Sequence, residues 1–219
     1  MTRNFLKVSG LAATLIFAVS CKENPNEVDA MDAETEAMAS DAAVTYTVDT
    51  ANSTIEWTGS KVGGQHNGII GLADGKIQVN GETVESGEFT IDMTSIKVLD
   101  ITEDEGAASL KSHLEGTIDG KQTDFFNTPD YPTSTFVITG LNGNTLEGNL
   151  TLKEITKNVS FPVTVTYDGD QMMLTSEEFT IDRTDWGITY GSATLADTVK
   201  DKAISDDMVL KVNLVAISK

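Results

Sequence analysis

Val159-Ser160-Phe161-Pro162-Val163-Thr164-Val165-Thr166-Tyr167 alternates apolar and polar side chains, then breaks at Asp168-Gly169-Asp170. A period of two places Val159, Phe161, Val163, Val165 and Tyr167 on one face of an extended strand, and Asp-Gly-Asp supplies the residues a tight reversal requires. Working outward in both directions, the same grammar repeats in Phe89-Ile91-Met93, Phe136-Ile138, Leu146-Gly148-Leu150-Leu152 and Met208-Leu210-Val212-Leu214-Ala216. Asn80-Gly81 and Asn142-Gly143-Asn144 punctuate the runs as further hairpin turns, so successive strands are expected to pair antiparallel. No alternation of strands with helices suggests a parallel sheet. The one departure is Asp104–Leu114, where Ala107, Ala108, Leu110, Lys111 and Leu114 predict a short helix that Gly116 stops. An all-β domain follows; alternation alone does not choose between a barrel and a sandwich.

The chain has 219 residues, enough for one domain with a sizeable core. Arg3 and Lys7 precede an apolar run at Leu11–Val19 and then Ser20-Cys21, the layout of an export signal over residues 1–20. Cys21 is the single cysteine, which excludes an intrachain disulfide. A cysteine after a small residue at the end of such a run resembles the bacterial lipobox, with Ala18 where Leu is commonest. Acylation of Cys21, palmitate included, is therefore expected to anchor the mature chain in the bacterial envelope, facing the periplasm or the cell exterior. The bland alternative is a secretory signal beside an incidental cysteine. Residues 21–43 are rich in Glu, Asp and Ala and carry little aliphatic content, which predicts a flexible acidic tether before a domain spanning 44–219. The formal net charge of −19 argues against nucleic acid as a partner.

Little in the chain promises catalysis. His66 and His113 are the only histidines, no nucleophile elbow, zinc-binding pair or phosphate loop occurs, and the lone cysteine is assigned to lipidation. The expectation is no enzyme, no catalytic residue, no metal and no cofactor. His113 reads as a polar contact of the helix. Asp100, Glu103, Asp104 and Glu105, with Asp206-Asp207, are abundant carboxylates without a site pattern. Arg183 follows Phe179-Ile181 and has two readings, a fork that pairs with a carboxylate or carbonyls at a strand end, or a contact for a lipid headgroup. Tyr131 and Trp186 read as packing anchors.

Asp124-Phe125-Phe126-Asn127-Thr128-Pro129-Asp130-Tyr131-Pro132-Thr133-Ser134-Thr135-Phe136 is a rigid, non-helical entry into a strand, because both prolines fix φ and push the preceding residue toward extended geometry. It resembles the "DFF…YPT.TF" signature of the YceI-like family of periplasmic lipid-binding proteins. Gly148–Lys157 is similar to that family's "G.LT..G.TK", and Asp182-Arg183-Thr184-Asp185-Trp186-Gly187-Ile188 to its "R.DFGI". Tyr46–Asp49 with Ser53–Trp57 resembles its opening strand. The resemblance runs from Tyr46 to Ala216 and implies a lipocalin-like antiparallel β-barrel of about eight strands, with a helical segment near one end. It further implies a polyisoprenoid or other long-chain amphiphile held inside, with Trp57, Phe89, Ile91, Phe136, Ile138, Leu150, Leu152, Phe161, Val163, Phe179, Leu210 and Val212 as lining candidates on the apolar parity. The segment Ile101–Thr123 is the expected gate. The rival readings are a structural or interaction lipoprotein with a filled barrel, and an envelope hydrolase acting through carboxylates.

Overall fold

The computed structural model describes residues 26–195 and 202–218. The strands are β1 (Met31–Asp32), β2 (Val44–Val48), β3 (Thr54–Lys61), β4 (Gly64–Asn80), β5 (Thr83–Val98), β6 (Thr133–Asn142), β7 (Thr145–Leu152), β8 (Ile155–Asp168), β9 (Gln171–Ser176), β10 (Phe179–Asp182) and β11 (Ile204–Ser218). Helix α1 (Ala107–Glu115) lies between β5 and β6, and a 3-10 turn at Arg183–Trp186 follows β10. The helix is bounded by Gly106 and Gly116, both left-handed, so it starts slightly later than composition predicts and stops where expected.

The strand pairing closes on itself. From β4 through β9 each strand bonds to the next, and β9 also bonds to β11. In turn β11 pairs with β2 and β3, which both return to β4. Taking β2 with β3 and β9 with β10 as two interrupted staves, the wall is a ring of eight antiparallel strands, a lipocalin-like barrel. A sandwich would leave sheet edges that this ring does not have. The turns at Asn80-Gly81, Asn142-Gly143-Asn144 and Asp168-Gly169-Asp170 all fall at one end, here the closed end, and their glycines take φ of 65°, 62° and 59°. The opposite end, or mouth, carries α1, the β3–β4 and β7–β8 turns and the segment after β10.

Residues 26–43 overturn the flexible tether. They form a strap laid against the outer wall. The Val28 N–H donates to the Thr180 carbonyl (2.8 Å) and the Thr180 N–H to the Asn26 carbonyl (2.9 Å), while Met31 and Asp32 pair with Asn158 and Lys157 of β8. The strap thus fills the seam between β8 and β10, then crosses β7 and β6. There Asn149 accepts from the Glu34 N–H (3.0 Å) and donates to the Glu34 carbonyl (2.8 Å), and the Ala37 N–H donates to the Ile138 carbonyl (3.0 Å). The composition misleads because the strap is held largely through its main chain, so its acidic side chains can stay in water. Residues 21–25, with Cys21 and the export signal, lie outside the described residues.

The barrel is filled at the closed end by Ile77, Val79, Val84, Ile138, Val163 and Met172, all buried. Just above them, β7 has Gly148, and the ring of Phe136 from the neighbouring strand lies where its side chain would be. Gly148→Ala is therefore expected to displace Phe136 and lower stability by about 1–3 kcal/mol in chemical denaturation; an unchanged midpoint would show that the ring moves freely. Asn149→Ala removes both bonds to Glu34. It is expected to cost about 1–3 kcal/mol and to raise hydrogen exchange at Glu34 and Ala37, whereas unchanged exchange would show that the strap does not depend on this anchor.

Candidate functional site

Above the filled end the inward-facing side chains no longer meet across the barrel. Phe89, Phe136, Phe161 and Phe179, from β5, β6, β8 and β10, form a belt around the inside, with centroid separations of 6.2, 5.7 and 4.1 Å in that order. The last pair is stacked at 1° and closes the inner side of the seam that the strap covers outside. The belt is a floor. Between it and the mouth lies a cavity of about 140 Å³.

The walls are apolar. Ile55 and Trp57 of β3, Ile70 and Leu72 of β4, Ile91, Met93 and Ile96 of β5, Leu150 and Leu152 of β7, and Met208, Leu210 and Val212 of β11 all face the space. Ten of the twelve expected lining residues border it: Trp57, Phe89, Ile91, Phe136, Leu150, Leu152, Phe161, Phe179, Leu210 and Val212. Ile138 and Val163 do not; both are buried in the filled end, two positions beyond Phe136 and Phe161. Strand parity assigns a face, but it is silent about height along the barrel.

Ile96 has the wrong parity to join Ile91 and Met93, and a bulge brings it in. Ile69 pairs with Lys97 and Gly71 with Asp92, so β5 spends extra residues against β4. Asp92 Oδ1 accepts from the N–H and hydroxyl of Thr94, and Ser95 Oγ accepts from the Gly71 N–H (2.7 Å) and donates to the Asp92 carbonyl (2.6 Å). The signal available in the sequence was Asp-x-Thr-Ser within a β run, which can satisfy its own backbone locally.

The mouth is roofed by α1 and the segment that follows. Leu114, Phe125 and Phe126 border the cavity from above. Backbone bonds from Phe126 to Leu114 (3.1 Å) and from Thr128 to Glu115 (2.7 Å) fold that segment onto the helix. The paired phenylalanines of the rigid corner are thus a plug, a role the periodicity could not show. His113 Nε2 meets Asp124 Oδ2 at 2.7 Å and sets its ring edge against Phe125 and Tyr190. Across the mouth, His66 Nδ1 meets Asp100 Oδ2 at 2.9 Å. Burial pushes the Asp100 carboxyl up, but the Asn67 N–H and His66 outweigh it and hold the group below its ordinary value. Neither histidine borders the cavity.

Three polar residues reach the rim of the space, Arg183, Ser205 and Asp207. Arg183 is a structural fork. Its guanidinium donates to the carbonyls of Ser205 (3.0 Å), Ile188 (2.6 Å) and Ile204 (3.4 Å) and to Asp206 Oδ1 (3.3 Å). Asp206 Oδ2 in turn accepts from Ser192 and Thr194. Burial pulls the guanidinium below its ordinary value, and Asp206 and Asp182 act against that. The fork ties the segment 188–194 to β11. Trp186 is buried and donates to the Leu150 carbonyl (3.1 Å), an anchor as expected, while Tyr131 stands near the exposed Glu154 (3.4 Å). Trp57 differs: its buried indole N–H has no partner among the described residues. Such a wall, with polar groups only at its rim, can enclose an apolar chain; among the described residues no group of three or more His, Cys, Asp and Glu is placed to hold a metal ion.

The fold has known counterparts. The crystal structure of BcnA from Burkholderia cenocepacia is 25% identical, with a TM-score of 0.57, over 77% of this chain and 99% of that one. A polyisoprenoid binding domain from Saccharophagus degradans, implicated in plant cell wall breakdown, is 16% identical with a TM-score of 0.60, over 80% of this chain and 99% of that one. Comparison with curated proteins finds no match. The YceI-like domain model matches residues 46–216, from within β2 to near the end of β11, and the chain belongs to that family.

Proposed function

We propose that the protein binds a polyisoprenoid or another long-chain amphiphilic lipid in the barrel and performs no catalysis on it. The observation that carries this reading is the apolar cavity between the phenylalanine belt and the α1 roof, whose polar lining residues stand at its rim. An apolar chain gains about 25 cal/mol for each Å² it removes from water, and the walls offer a buried backbone no partner that a hydrocarbon would waste. The polar headgroup lies at the rim beside Ser205 and Asp207. Arg183 contributes there by fixing the wall, since most of its donors are already engaged. Relatives support the class of ligand: the Saccharophagus degradans counterpart is described as a polyisoprenoid binding domain.

On this reading the protein works in the bacterial envelope, exported by residues 1–20 and held to the membrane by acylated Cys21, which the apolar run Leu11–Val19 ending at Ser20-Cys21 supports. The segment 101–123 is the gate, because it carries the helix that covers the mouth and is held to its surroundings by a few polar contacts.

Native extraction followed by mass spectrometry is expected to find a long-chain lipid bound to the folded protein. Ile91→Trp, on the cavity wall, is expected to expel that lipid with little loss of stability, whereas Val163→Trp overpacks the filled end and costs about 1–3 kcal/mol or more. A wild type without lipid, together with equal destabilisation by both variants, would mean that the whole barrel is a closed core. His113→Ala is expected to leave the amount of bound lipid unchanged and to speed its release, as one hydrogen bond worth about 0.5–1.5 kcal/mol is removed from the roof. Unaltered release would place the exit elsewhere.

A further inference from the structure

Among the described residues, one buried side-chain donor stands apart from the rest. Ser53, Asn149, Asn158 and Trp186 all reach partners in the wall or the strap, whereas the indole N–H of Trp57, on a side chain only 8% exposed, has no acceptor. A buried donor without a partner is rare and costly, and this one belongs to the cavity wall. Water does not supply the missing partner. A held water needs several polar neighbours, and the residues beside Trp57 on the inner face of the sheet are Ile55, Gly68 and Leu210. Two glycines seat the ring and leave room next to it. Gly68 pairs with Trp57 across β3 and β4, and a Cβ on it would lie 2.8 Å from Cζ2 of the indole, so the ring rests where a side chain is missing. Gly59 is two positions nearer the mouth on the same face and borders the cavity, and a Cβ there would meet nothing within 4 Å. The open recess therefore continues from Trp57 for about 7 Å along the strand to Gly59, whose partner Met208 adjoins Asp207 at the rim.

We infer that Trp57 donates its indole N–H to the bound lipid, and that the site selects a lipid whose head carries a neutral oxygen acceptor, a carbonyl or a hydroxyl, over one that ends in phosphate. The inference rests on the lipid-binding reading and names the head of the cargo. An indole offers a single uncharged donor, which matches one neutral oxygen. A phosphate asks for several donors or a cation, and the rim does not provide them. Arg183 spends its guanidinium on three main-chain carbonyls and Asp206, and the carboxylate of Asp207 stands beside the opening. The formal net charge of −19 opposes an anionic head further. A neutral oxygen at Trp57 meets neither penalty, and its hydrogen bond is made among apolar walls where no water competes. The head then spans the recess between Trp57 and the rim, and the hydrocarbon runs on along the wall. Trp57 thereby acts as a specificity-determining residue, since the same bond that satisfies its buried donor fixes the depth at which the head stops.

The test uses the full chain, stripped of carried lipid on a hydrophobic resin and titrated with three probes that share an isoprenoid tail: farnesylacetone, a ketone; farnesene, a hydrocarbon; and farnesyl phosphate. Trp57→Phe keeps a ring at the position and removes the donor. It is expected to weaken farnesylacetone by about three- to tenfold and to leave farnesene as it was, while farnesyl phosphate binds the wild type more weakly than the ketone does. A second measurement needs no variant. The chain has two tryptophans, so two indole N–H resonances are expected in a nitrogen-15 correlation spectrum. One, from Trp57, is expected to move downfield with farnesylacetone and not with farnesene, while the other, from Trp186 on the Leu150 carbonyl, stays in place. Equal losses for ketone and hydrocarbon in Trp57→Phe, or an indole resonance that answers both probes alike, would reduce Trp57 to packing and overturn the inference. Tighter binding of farnesyl phosphate than of farnesylacetone would overturn the preference for a neutral head. The two readings fail differently: ketone and hydrocarbon bound without the hydrogen-bond signature remove only the role of Trp57, and no binding of any probe removes the carrier along with it.

Discussion

A sheet that closes on itself must leave no stave unpaired, and everything else in this molecule depends on how that requirement is met between β8 and β10. The last complete pairing of β8 is with β9, which ends at Ser176; beyond it β10 bonds only to β11 on one side. An open seam there would expose main-chain donors and acceptors beside the apolar interior. The strap supplies the missing main chain from outside, and Phe161 against Phe179 seals the gap from inside. The cavity is bounded because this seam is closed twice, by hydrogen bonds and by an aromatic stack.

Closure also makes possible a division of labour along the barrel axis. Below the phenylalanine belt, the inward side chains are buried against one another as in an ordinary core. Above it, the inward side chains leave the cavity between them, and the roof of α1 and the Phe125-Phe126 corner covers what the wall does not fill. The fold therefore owes its stability mainly to one half and its use to the other. The Arg183 fork belongs to the first function although it stands at the mouth: its bonds to the carbonyls of Ile188, Ser205 and Ile204 keep a long, non-strand segment from collapsing into the opening.

Much of this was legible in the residues. Alternation in Phe89–Met93 and Val159–Tyr167 reports faithfully which side chains turn inward, and Asn-Gly and Asp-Gly mark the closed-end turns because those reversals need residues that tolerate positive φ, whereas the β7–β8 turn takes positive φ at Lys153 and Glu154, which carry no such signal. Height was not legible: Val163 and Phe161 share a face, yet one is core and the other cavity wall. Nor was Ile96, whose inward direction depends on a bulge held by the Asp92, Thr94 and Ser95 side chains, a local geometry that breaks the period it would be judged by. The strap was misread for a different reason. Composition weighs side-chain burial, whereas residues 26–43 are fastened by main-chain groups whose partners lie more than a hundred residues away, at Asn149, Ile138 and Thr180.

The two tryptophans, 57 and 186, occupy opposite electronic settings in the same interior. Trp186 is locked to the Leu150 carbonyl away from solvent, while Trp57 borders the cavity and its indole N–H has no partner among the described residues. An indole whose excited-state dipole finds no polar neighbour emits at short wavelength, and its emission shifts when the polarity or packing beside it changes. Trp186, fixed by its hydrogen bond, serves as an internal reference within the same spectrum. The protein thus carries a native optical reporter of its cavity, with the sensor on β3 and the standard on the 3-10 turn held to β7.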